Sequence, residues 1–546
     1  YMLKTYKKKF ILINIVASIL FLILSNAISA ELPRPLNESD EKLYKKIFAL
    51  QEEGDFNSSN KLIKLIKNNI LMGRVYAQRY LHPKSYISKF SELKTWLNKY
   101  SDHPSASRIF WLAKRKKSKS EKSVKKPEGG YLSGFGSTNE KTLRPKIPSS
   151  YKGRSSPSAT RANAYKIRKY IRSSWPSGAL EFLNKPSVIK YFTDKEESQL
   201  HWEIANGYFI FNKDYEAIRE SSKSLIISKG NNEMAWFTAG ISSWRRGNKN
   251  KSLLFFKNLA NMKVASGEFR SAGAYWASRI EMLNKNPEEA INLLIIASKE
   301  KETFYGQLAI SALGLEAVFK FDTPDLSEEF LNWILSKEGG KRAFSLIQVG
   351  EYWHADREFR KIYPITPEKF HLQMMSIASK YGMPSLALRL ADLERKKTGK
   401  IWYGALYPSF IFQKNDEVFK DLPLVLSIVR QESRFDQRGK SPKKAQGLMQ
   451  ILPSTAAFIM KDKNYKGNLR HDLLIPNISF HIGEKYINHL LKEPIINNDL
   501  VKLLAAYNGG PGNLKKWLKN INYQNDPILL IETIPSRETR SYLKAV

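Results

Sequence analysis

Apolar residues recur every three or four positions over most of the chain, as they do along one face of an α-helix. A clear run lies near the N-terminus, at Leu62, Ile63, Leu65, Ile66, Ile70 and Leu71. The strict alternation typical of a half-buried β-strand is scarce. The pattern predicts an all-α fold class, and a length of 546 residues suits about two to four domains.

An aromatic signature recurs in residues 164–361. Its units contain Trp202, Ala205 and Tyr208, then Trp236, Ala239 and Trp244, and a third begins at Tyr275 and Trp276. Trp202 and Trp236 lie 34 residues apart, a period typical of stacked helix pairs that cannot bury their apolar faces alone. The repeat predicts a curved helical-repeat solenoid, which could close into a ring, with these Trp side chains packed in its core.

Residues 113–163 interrupt the helical pattern. They include KRKKSKSEKSVKKPEGG and SYKGRSSPSATR, which are rich in Lys, Ser, Gly and Pro and poor in branched apolar residues. Such a segment buries too little apolar surface to stay ordered. We predict a basic, solvated, low-complexity linker, with a dedicated binding arm as the alternative.

The N-terminus has the layout of a secretory signal peptide. Lys7, Lys8 and Lys9 precede an apolar run over 10–24, and small residues lead up to Ala30. We therefore predict a cleaved signal peptide at residues 1–30 and a periplasmic location. An uncleaved membrane anchor is the alternative.

The composition narrows the classes of partner and site. With 89 Lys and Arg against 52 Asp and Glu, the formal charge is +37, which attracts anionic envelope surfaces; export argues against nucleic acid. The chain has no cysteine, so disulfides, thiolate metal sites and a cysteine nucleophile are excluded. Because His471, His481 and His489 are not spaced as two ligands on one helix turn, we expect neither a metal nor a cofactor.

One acidic residue lies on an apolar stripe. In LPLVLSIVRQESRF, Val425, Ile428 and Val429 form one face of a predicted helix, and further helical steps along that face lead to Glu432. Burial and the negative end of the helix dipole both disfavour the ionised carboxylate, so we expect a raised pKa, as a general acid in glycoside cleavage requires. The alternative is a solvated Glu432 paired with a neighbouring Arg.

Three further motifs follow this helix. They are KSPKKAQGLMQILPSTA at 440–456, LLAAYNGGPGNLKKW at 503–517 and IETIPSRETRSYL at 531–543. Together with RQESRF, they resemble the catalytic domain of the soluble lytic murein transglycosylases, which has a goose-type lysozyme-like fold. YWASR at 275–279 and FYGQLAISALG at 304–314 resemble, less specifically, the helical ring domain of that family.

The resemblance implies a role for each matching residue. Glu432 is the single catalytic acid and base, and Gly447 lets the backbone approach a ligand. The residues implied to line the sugar cleft are Ser441, Gln450, Tyr507, Asn508 and Glu532. Asp436, four residues after Glu432, is the nearest second carboxylate, but the family does without one.

The implied reaction cleaves peptidoglycan between N-acetylmuramic acid and N-acetylglucosamine and leaves a 1,6-anhydromuramoyl end. The alternatives are a lysozyme-type hydrolase, a non-catalytic wall-binding scaffold and an exported nucleic-acid binder. We expect a monomer that acts on glycan strands and has some electrostatic affinity for anionic envelope surfaces. The predicted domain divisions are the signal peptide 1–30, an N-terminal helical region 31–112, the basic linker 113–163, the superhelix 164–361, a helical linker domain 362–420 and the lysozyme-like catalytic domain 421–546.

Overall fold

The computed structural model of the protein describes residues 32–136, 157–408 and 421–546. In these residues the regular elements are α-helices, joined by short 3-10 helices and loops. This confirms the predicted all-α fold class. The predicted signal peptide at residues 1–30 lies outside the described residues, as does most of the second half of the predicted linker.

The N-terminal region, residues 32–116, folds into five α-helices. Its helices are α1 Glu38–Glu53, α2 Phe56–Ile63, α3 Met72–Tyr80, α4 Phe90–Lys99 and α5 Ala106–Lys116, with a 3-10 turn at Asn69–Leu71. Helix α1 begins where Asn37 caps the N–H of Asp40, and it ends at Gly54 in a left-handed conformation. The buried face of α5 packs on α4 in a separate small core. The N-terminal region therefore contributes to two cores: α1 and α3 belong to a large one, and α4 and α5 form the small one.

Residues 157–312 form a superhelix in which, from residue 194 onward, each helix packs against the next. Its helices are α6 Pro157–Arg172, α7 Pro176–Leu183, α8 Pro186–Ile189, α9 Asp194–Ile210, α10 Asp214–Ile227, α11 Glu233–Arg245, α12 Lys249–Asn261, α13 Gly267–Leu283, α14 Pro287–Ser298 and α15 Phe304–Ala312. Trp276 is fully buried and stacks on Phe256. Trp202 and Trp236 are half-buried and donate to Thr238 Oγ1 and to the Gly230 carbonyl. The repeated aromatic residues thus hold neighbouring helices together.

A second set of helices continues the chain after a loop at 313–327. These are α16 Glu328–Leu335, α17 Glu338–Gln348, α18 Tyr352–Ile362, α19 His371–Lys380, α20 Pro384–Thr398 and α21 Tyr403–Leu406, with 3-10 turns at Tyr363–Ile365 and Glu368–Phe370. They share one hydrophobic core with α1 and α3 rather than with the preceding superhelix. The predicted division 164–361 therefore crosses two cores, because the aromatic repeat stops before the helices that pack on the N-terminal region.

The predicted linker differs from the structure over its described part. Both predicted ends, 113 and 163, fall inside helices. Residues 117–136, which we call the strap, run in an extended path over the molecule. Backbone and side-chain hydrogen bonds join Leu132 to Arg360, and Arg360 also donates to the carbonyl of Gly134. The polar composition suggested disorder because the strap takes part in these hydrogen bonds through its main-chain atoms, and side-chain composition carries no information about main-chain bonds.

Residues 421–546, which we call the C-terminal domain, bury their apolar side chains in the same hydrophobic cluster as α1 and α16–α20. Its helices are α22 Leu422–Glu432, α23 Pro453–Met460, α24 Pro476–Leu491, α25 Leu500–Gly509, α26 Pro511–Asn520, α27 Pro527–Thr533 and α28 Arg537–Ala545, with 3-10 turns at Lys463–Lys466 and Asn468–Leu474. The domain docks on the superhelix through an ion pair of 2.8 Å between Arg279 and Asp526. The side chain of Gln524 also donates to the carbonyl of Arg245. Within the described parts of the chain, no helix is both long enough and apolar enough to span a membrane.

Candidate active site

Helix α22 positions the central carboxyl group of the site. The Asp421 side chain caps its start by accepting from the N–H of Leu424, and Pro423 lies in the first turn. The stripe of Val425, Ile428 and Val429 is buried, as predicted from the sequence. The helix ends at Glu432, so this side chain projects from the last helical position.

The chain turns sharply after Glu432. Arg434 and Phe435 have φ angles of 53° and 61°, a left-handed conformation that is uncommon outside glycine. Phe435 is buried, and Arg434 Nη1 donates to the carbonyl of Gly136 at the end of the strap, at 2.7 Å. The turn that follows the acid is therefore fixed by the core on one side and by the strap on the other.

The environment of Glu432 favours its protonated form. Burial raises the pKa of its carboxyl to about 8, and the negative charge of Glu538 acts in the same direction, while the Tyr542 hydroxyl opposes the rise. The residue still keeps partial contact with solvent. A carboxylic acid that holds its proton near neutral pH and remains reachable can donate that proton to a leaving oxygen.

Two tyrosines lie beside this carboxyl group. Tyr507, on α25, makes its hydrogen bond elsewhere, because its hydroxyl donates to the carbonyl of Met449 at 2.9 Å. Tyr542, on α28, lies close enough for its hydroxyl to lower the pKa of Glu432, and this hydroxyl is buried without a hydrogen-bond partner of its own. Burial raises the pKa of both phenols well above the usual value. We did not predict a role for Tyr542, although it shares a buried helical face with Thr539 in the RETRSYL motif.

A short loop carries two of the predicted cleft residues. Ser441 accepts the N–H of Ala445 with its side chain, and Gln450 donates from Nε2 to the carbonyls of Gly439 and Gly447, at 3.1 and 2.8 Å. Isolated β-bridges pair Gln446 with Lys440 and with Ile451. The loop is thus closed on itself by side chains that we predicted to face sugar.

Gly447 has a different role from the one predicted. Its φ is +78°, and an added Cβ would lie 1.9 Å from the carbonyl oxygen of Leu473. The glycine therefore makes room for the protein's own backbone, in the 3-10 turn at Asn468–Leu474, rather than for a ligand. Sequence alone could not distinguish these uses, because both require a missing side chain.

Asn508 lies at the end of α25 and faces α28. Its Oδ1 accepts from the Thr539 hydroxyl at 2.8 Å, and the Ser536 hydroxyl accepts from the Thr539 N–H. The Asn508 carbonyl oxygen is thereby oriented, and its amide group remains a donor.

Glu532 is buried on α27 and pairs with Lys544 at 2.7 Å. The Tyr305 hydroxyl of the superhelix also donates to this carboxylate. The carboxylate therefore lies at the contact between the C-terminal domain and the superhelix. Its predicted part in the sugar cleft stays a prediction.

Asp436 lies beyond the end of α22. It accepts the N–H of Arg438 at 3.1 Å and interacts with the Trp353 side chain. Burial raises the pKa of this carboxyl as well. Asp436 is thus engaged with α18.

Over the described ranges, no three His, Asp or Glu side chains cluster as they would around a metal ion.

The chain is similar in sequence to several known proteins. The family model described as "Transglycosylase SLT domain" matches residues 409–529. The chain is 28% identical to the soluble lytic murein transglycosylases of Salmonella typhimurium, over 50% of this chain and 42% of the relative, and of Escherichia coli K12, over 55% and 48%. It is 31% identical to the membrane-bound lytic murein transglycosylase E of Buchnera aphidicola, over 27% of this chain and 67% of that protein.

The chain belongs to the soluble lytic transglycosylase family. It spans less than half the length of the Salmonella and Escherichia members that it matches. Of the motifs that carried the resemblance, the last lies beyond the matched segment, and it holds Glu532 and Tyr542.

Solved structures of family members share the fold. The lytic transglycosylase Slt of Pseudomonas aeruginosa, solved as an inactive mutant, aligns over 94% of this chain and 85% of its own, with a TM-score of 0.54 and 17% identity. A 70-kDa soluble lytic transglycosylase in complex with bulgecin A aligns over 93% and 95%, with a TM-score of 0.59 and 15% identity. The similarity extends across the superhelix as well as the C-terminal domain.

Proposed function

We propose that this protein is a lytic transglycosylase that cleaves the β-1,4 bond between N-acetylmuramic acid and N-acetylglucosamine in peptidoglycan. The observation that carries the proposal is the raised pKa of Glu432, on a helix end inside the segment matched by the transglycosylase family. Burial also raises the pKa of Asp436, which other residues hold in place, so the second part of this observation is that Glu432 lies at a helix end in partial contact with solvent.

In the proposed reaction, Glu432 does both proton transfers. Its carboxyl group donates a proton to the oxygen that bridges the two sugars, and the bond from that oxygen to C1 of the muramoyl residue breaks. The acetamido group of the same sugar stabilises the positive charge that develops on C1. The C6 hydroxyl then attacks C1 and gives its proton to the Glu432 carboxylate, which leaves a 1,6-anhydro ring and restores the acid without consuming water.

The engagement of the second carboxylate supports this reaction over hydrolysis. A hydrolase that uses two carboxylates needs the second one near the sugar. Asp436 is instead held by the backbone of Arg438 and by Trp353. With that carboxylate committed elsewhere, attack by the substrate's own hydroxyl is the simpler route.

We also propose that Ser441, Gln450, Tyr507, Asn508 and Glu532 shape the sugar cleft. For Asn508, the fixed carbonyl oxygen and the remaining amide donor suit an N-acetyl group. For Ser441, Gln450 and Tyr507, the proposed contribution is a rigid loop beside Glu432. The reaction places the protein in the periplasm, where the predicted signal peptide would deliver it.

The test uses purified sacculi and the Glu432→Gln variant. We expect the variant to keep its helical circular-dichroism spectrum and to lose activity at least a hundredfold, as is typical when a general acid is removed. Mass spectrometry of the wild-type products should show muramoyl ends lighter by one water than hydrolysed ends. Hydrolysed ends alone would identify a hydrolase, and undiminished lysis by the variant would remove Glu432 from the mechanism.

A further inference from the structure

The surface formed by α5 and the first part of the strap, residues 107–126, is unusually basic. Its exposed cationic residues are Arg108, Lys114, Arg115, Lys116, Lys119, Lys122, Lys125 and Lys126. Lys117 is half-buried, and Glu121, the one acidic residue in this range, is occupied by the N–H and hydroxyl of Ser118. Nine cations against this one carboxylate leave residues 107–126 with a formal charge of 9 − 1 = +8.

An exposed aromatic residue lies within this charge. The Trp111 side chain is 61% exposed. Lys114 Nζ is 4.9 Å from the centre of its ring, which keeps a cation beside the indole. Phe110 and Leu112, its neighbours in the chain, pack against the small core of α4 and α5, so Trp111 is the residue that projects outward. A solvated helix needs no apolar residue of this size in the middle of its polar face.

The cations are held in place rather than carried on a free tail. Val124 is buried in the small core that α4 and α5 share, together with Ile109 and Ala113. It therefore fixes the chain after α5 against the same two helices. As a result, the cations before and after residue 117 belong to one folded face, which we call the basic face.

We propose that the basic face binds the surface of an anionic lipid bilayer. Clustered Lys and Arg are attracted to anionic headgroups, and a Trp among them can lie at the headgroup level, where its ring is half in apolar surroundings. Charge alone would suit any polyanion. The exposed Trp111 favours a lipid surface because a bilayer offers an apolar layer beneath its anionic charges.

The absence of cysteine from the sequence allows a local measurement. Ser107 is exposed and lies one helical turn before Trp111. We would label Ser107→Cys with an environment-sensitive fluorophore in the full chain, and Asn250→Cys, exposed on the superhelix, as the control position. Because the readout is local, any binding through the apolar run at residues 10–24 is common to both proteins.

We expect the label at position 107 to shift to the blue with vesicles of phosphatidylcholine containing about a third phosphatidylglycerol. It should stay unchanged with phosphatidylcholine alone, and the label at position 250 should respond to neither. The absence of a shift at position 107, or an equal shift at both positions, would overturn the proposal.

Matched variants separate the basic face from net charge. Replacing Lys114, Arg115 and Lys116 by Gln should weaken vesicle binding at position 107 by about a hundredfold, since each cation contributes roughly fivefold. The same replacement of the exposed Arg246, Lys249 and Lys251 removes equal charge and should change it less than about twofold. Equal losses in the two variants would overturn the proposal, since they would indicate attraction by net charge alone.

The aromatic residue has its own control. Tyr165 is 63% exposed and also has a cation, Arg172, over its ring. Trp111→Ala should weaken binding roughly tenfold, whereas Tyr165→Ala should not. If Trp111→Ala leaves vesicle binding unchanged and duplex DNA competes as well as lipid does, the surface is a general polyanion site and the lipid assignment is wrong. Lysis of lipid-free sacculi should be normal in all these variants, so the outcome is independent of the proposed catalytic function.

Discussion

The carboxyl group of Glu432 combines two properties that ordinarily exclude each other. Protein surrounds it closely enough to raise its pKa to about 8, yet the residue keeps contact with solvent. The unfolded chain gives up this proton near pH 4.5, whereas the folded chain retains it until about pH 8. Folding stability should therefore fall as pH rises between these values and then level off.

Glu432→Gln should remove this pH dependence. Near pH 5 the variant and the wild type should unfold at similar temperatures, because both carry a neutral group. Above pH 8 the variant should be more stable by roughly 2 kcal/mol, a value reduced for the partial contact with water. Thermal unfolding followed by circular dichroism across this pH range measures the difference. Glu316→Gln, at an exposed position, should show no such trend; a constant difference for Glu432→Gln would contradict the burial argument.

Tyr542 should tune the acid. Its hydroxyl favours the ionised form of Glu432, so Tyr542→Phe should raise the pKa of that carboxyl further. Since the protonated acid is the active form, the alkaline fall of kcat/KM, expected near pH 8 in the wild type, should move to higher pH. The pH profile of muropeptide release measures this shift. Tyr507→Phe is the control, because that hydroxyl bonds to Met449, and its alkaline limb should stay in place. A shift to lower pH for Tyr542→Phe would reverse the assigned sign.

At this scale, the sequence could predict only what periodicity and motif expose. Glu432 was found because it continues a buried apolar stripe, and Asn508 and Gln450 were found by family resemblance. Tyr542 and the true role of Gly447 were missed, since both depend on which backbone or side chain lies opposite. Such partners come from segments distant in the chain, and one sequence does not specify them.

At the scale of secondary elements, the strap requires a glycine at its end, position 136. Gly136 has φ +81°, and an added Cβ would lie 2.9 Å from the carbonyl oxygen of Leu388. Gly129, in the same segment, has no atom within 4 Å of an added Cβ. Because the Gly136 carbonyl also accepts from Arg434, the end of the strap connects to the turn after Glu432.

Gly136→Ala should therefore release the end of the strap, at a cost of about 1–2 kcal/mol. Hydrogen exchange should show faster exchange over residues 130–136, with smaller changes elsewhere. Gly129→Ala should leave exchange in the strap as it is in the wild type. If the two variants behave alike, the contact with Leu388 has no energetic weight.

Helices could be predicted well from the sequence, while the strap could not. The 3.6-residue period reports which face of a helix is buried, and this identified α22 and the helix pairs of the superhelix. An extended segment held through main-chain atoms leaves no such period. Composition alone described residues 117–136 as solvated, although Val124 and Leu132 are buried.

At the scale of the whole molecule, the docking of the C-terminal domain involves buried charge. Glu532 is shared between Lys544 of its own domain and Tyr305 of the superhelix. Lys544 also lies 4.0 Å from Glu268 on α13. One lysine thus faces two carboxylates at the contact between the parts of the molecule.

Lys544→Met should destabilise the protein by about 2 kcal/mol, because it leaves the buried Glu532 without its cation. Adding Glu532→Gln should recover part of this loss, since no unpaired charge remains. The midpoints of urea unfolding for the two single variants and the double variant measure the coupling. Simple addition of the two single effects would mean that the pair contributes nothing at this contact.

Asp526 connects the C-terminal domain to the superhelix through bonds on both of its carboxylate oxygens. One of its oxygens accepts the first free N–H groups of α27, from Ile528 and Leu529, while the other accepts from Arg279 on α13. A single carboxylate therefore sets both the starting direction of α27 and its distance from the superhelix. If the superhelix rotated relative to the C-terminal domain, Asp526 would either pull the start of α27, the helix that carries Glu532, along with Arg279 or lose its bonds to Ile528 and Leu529.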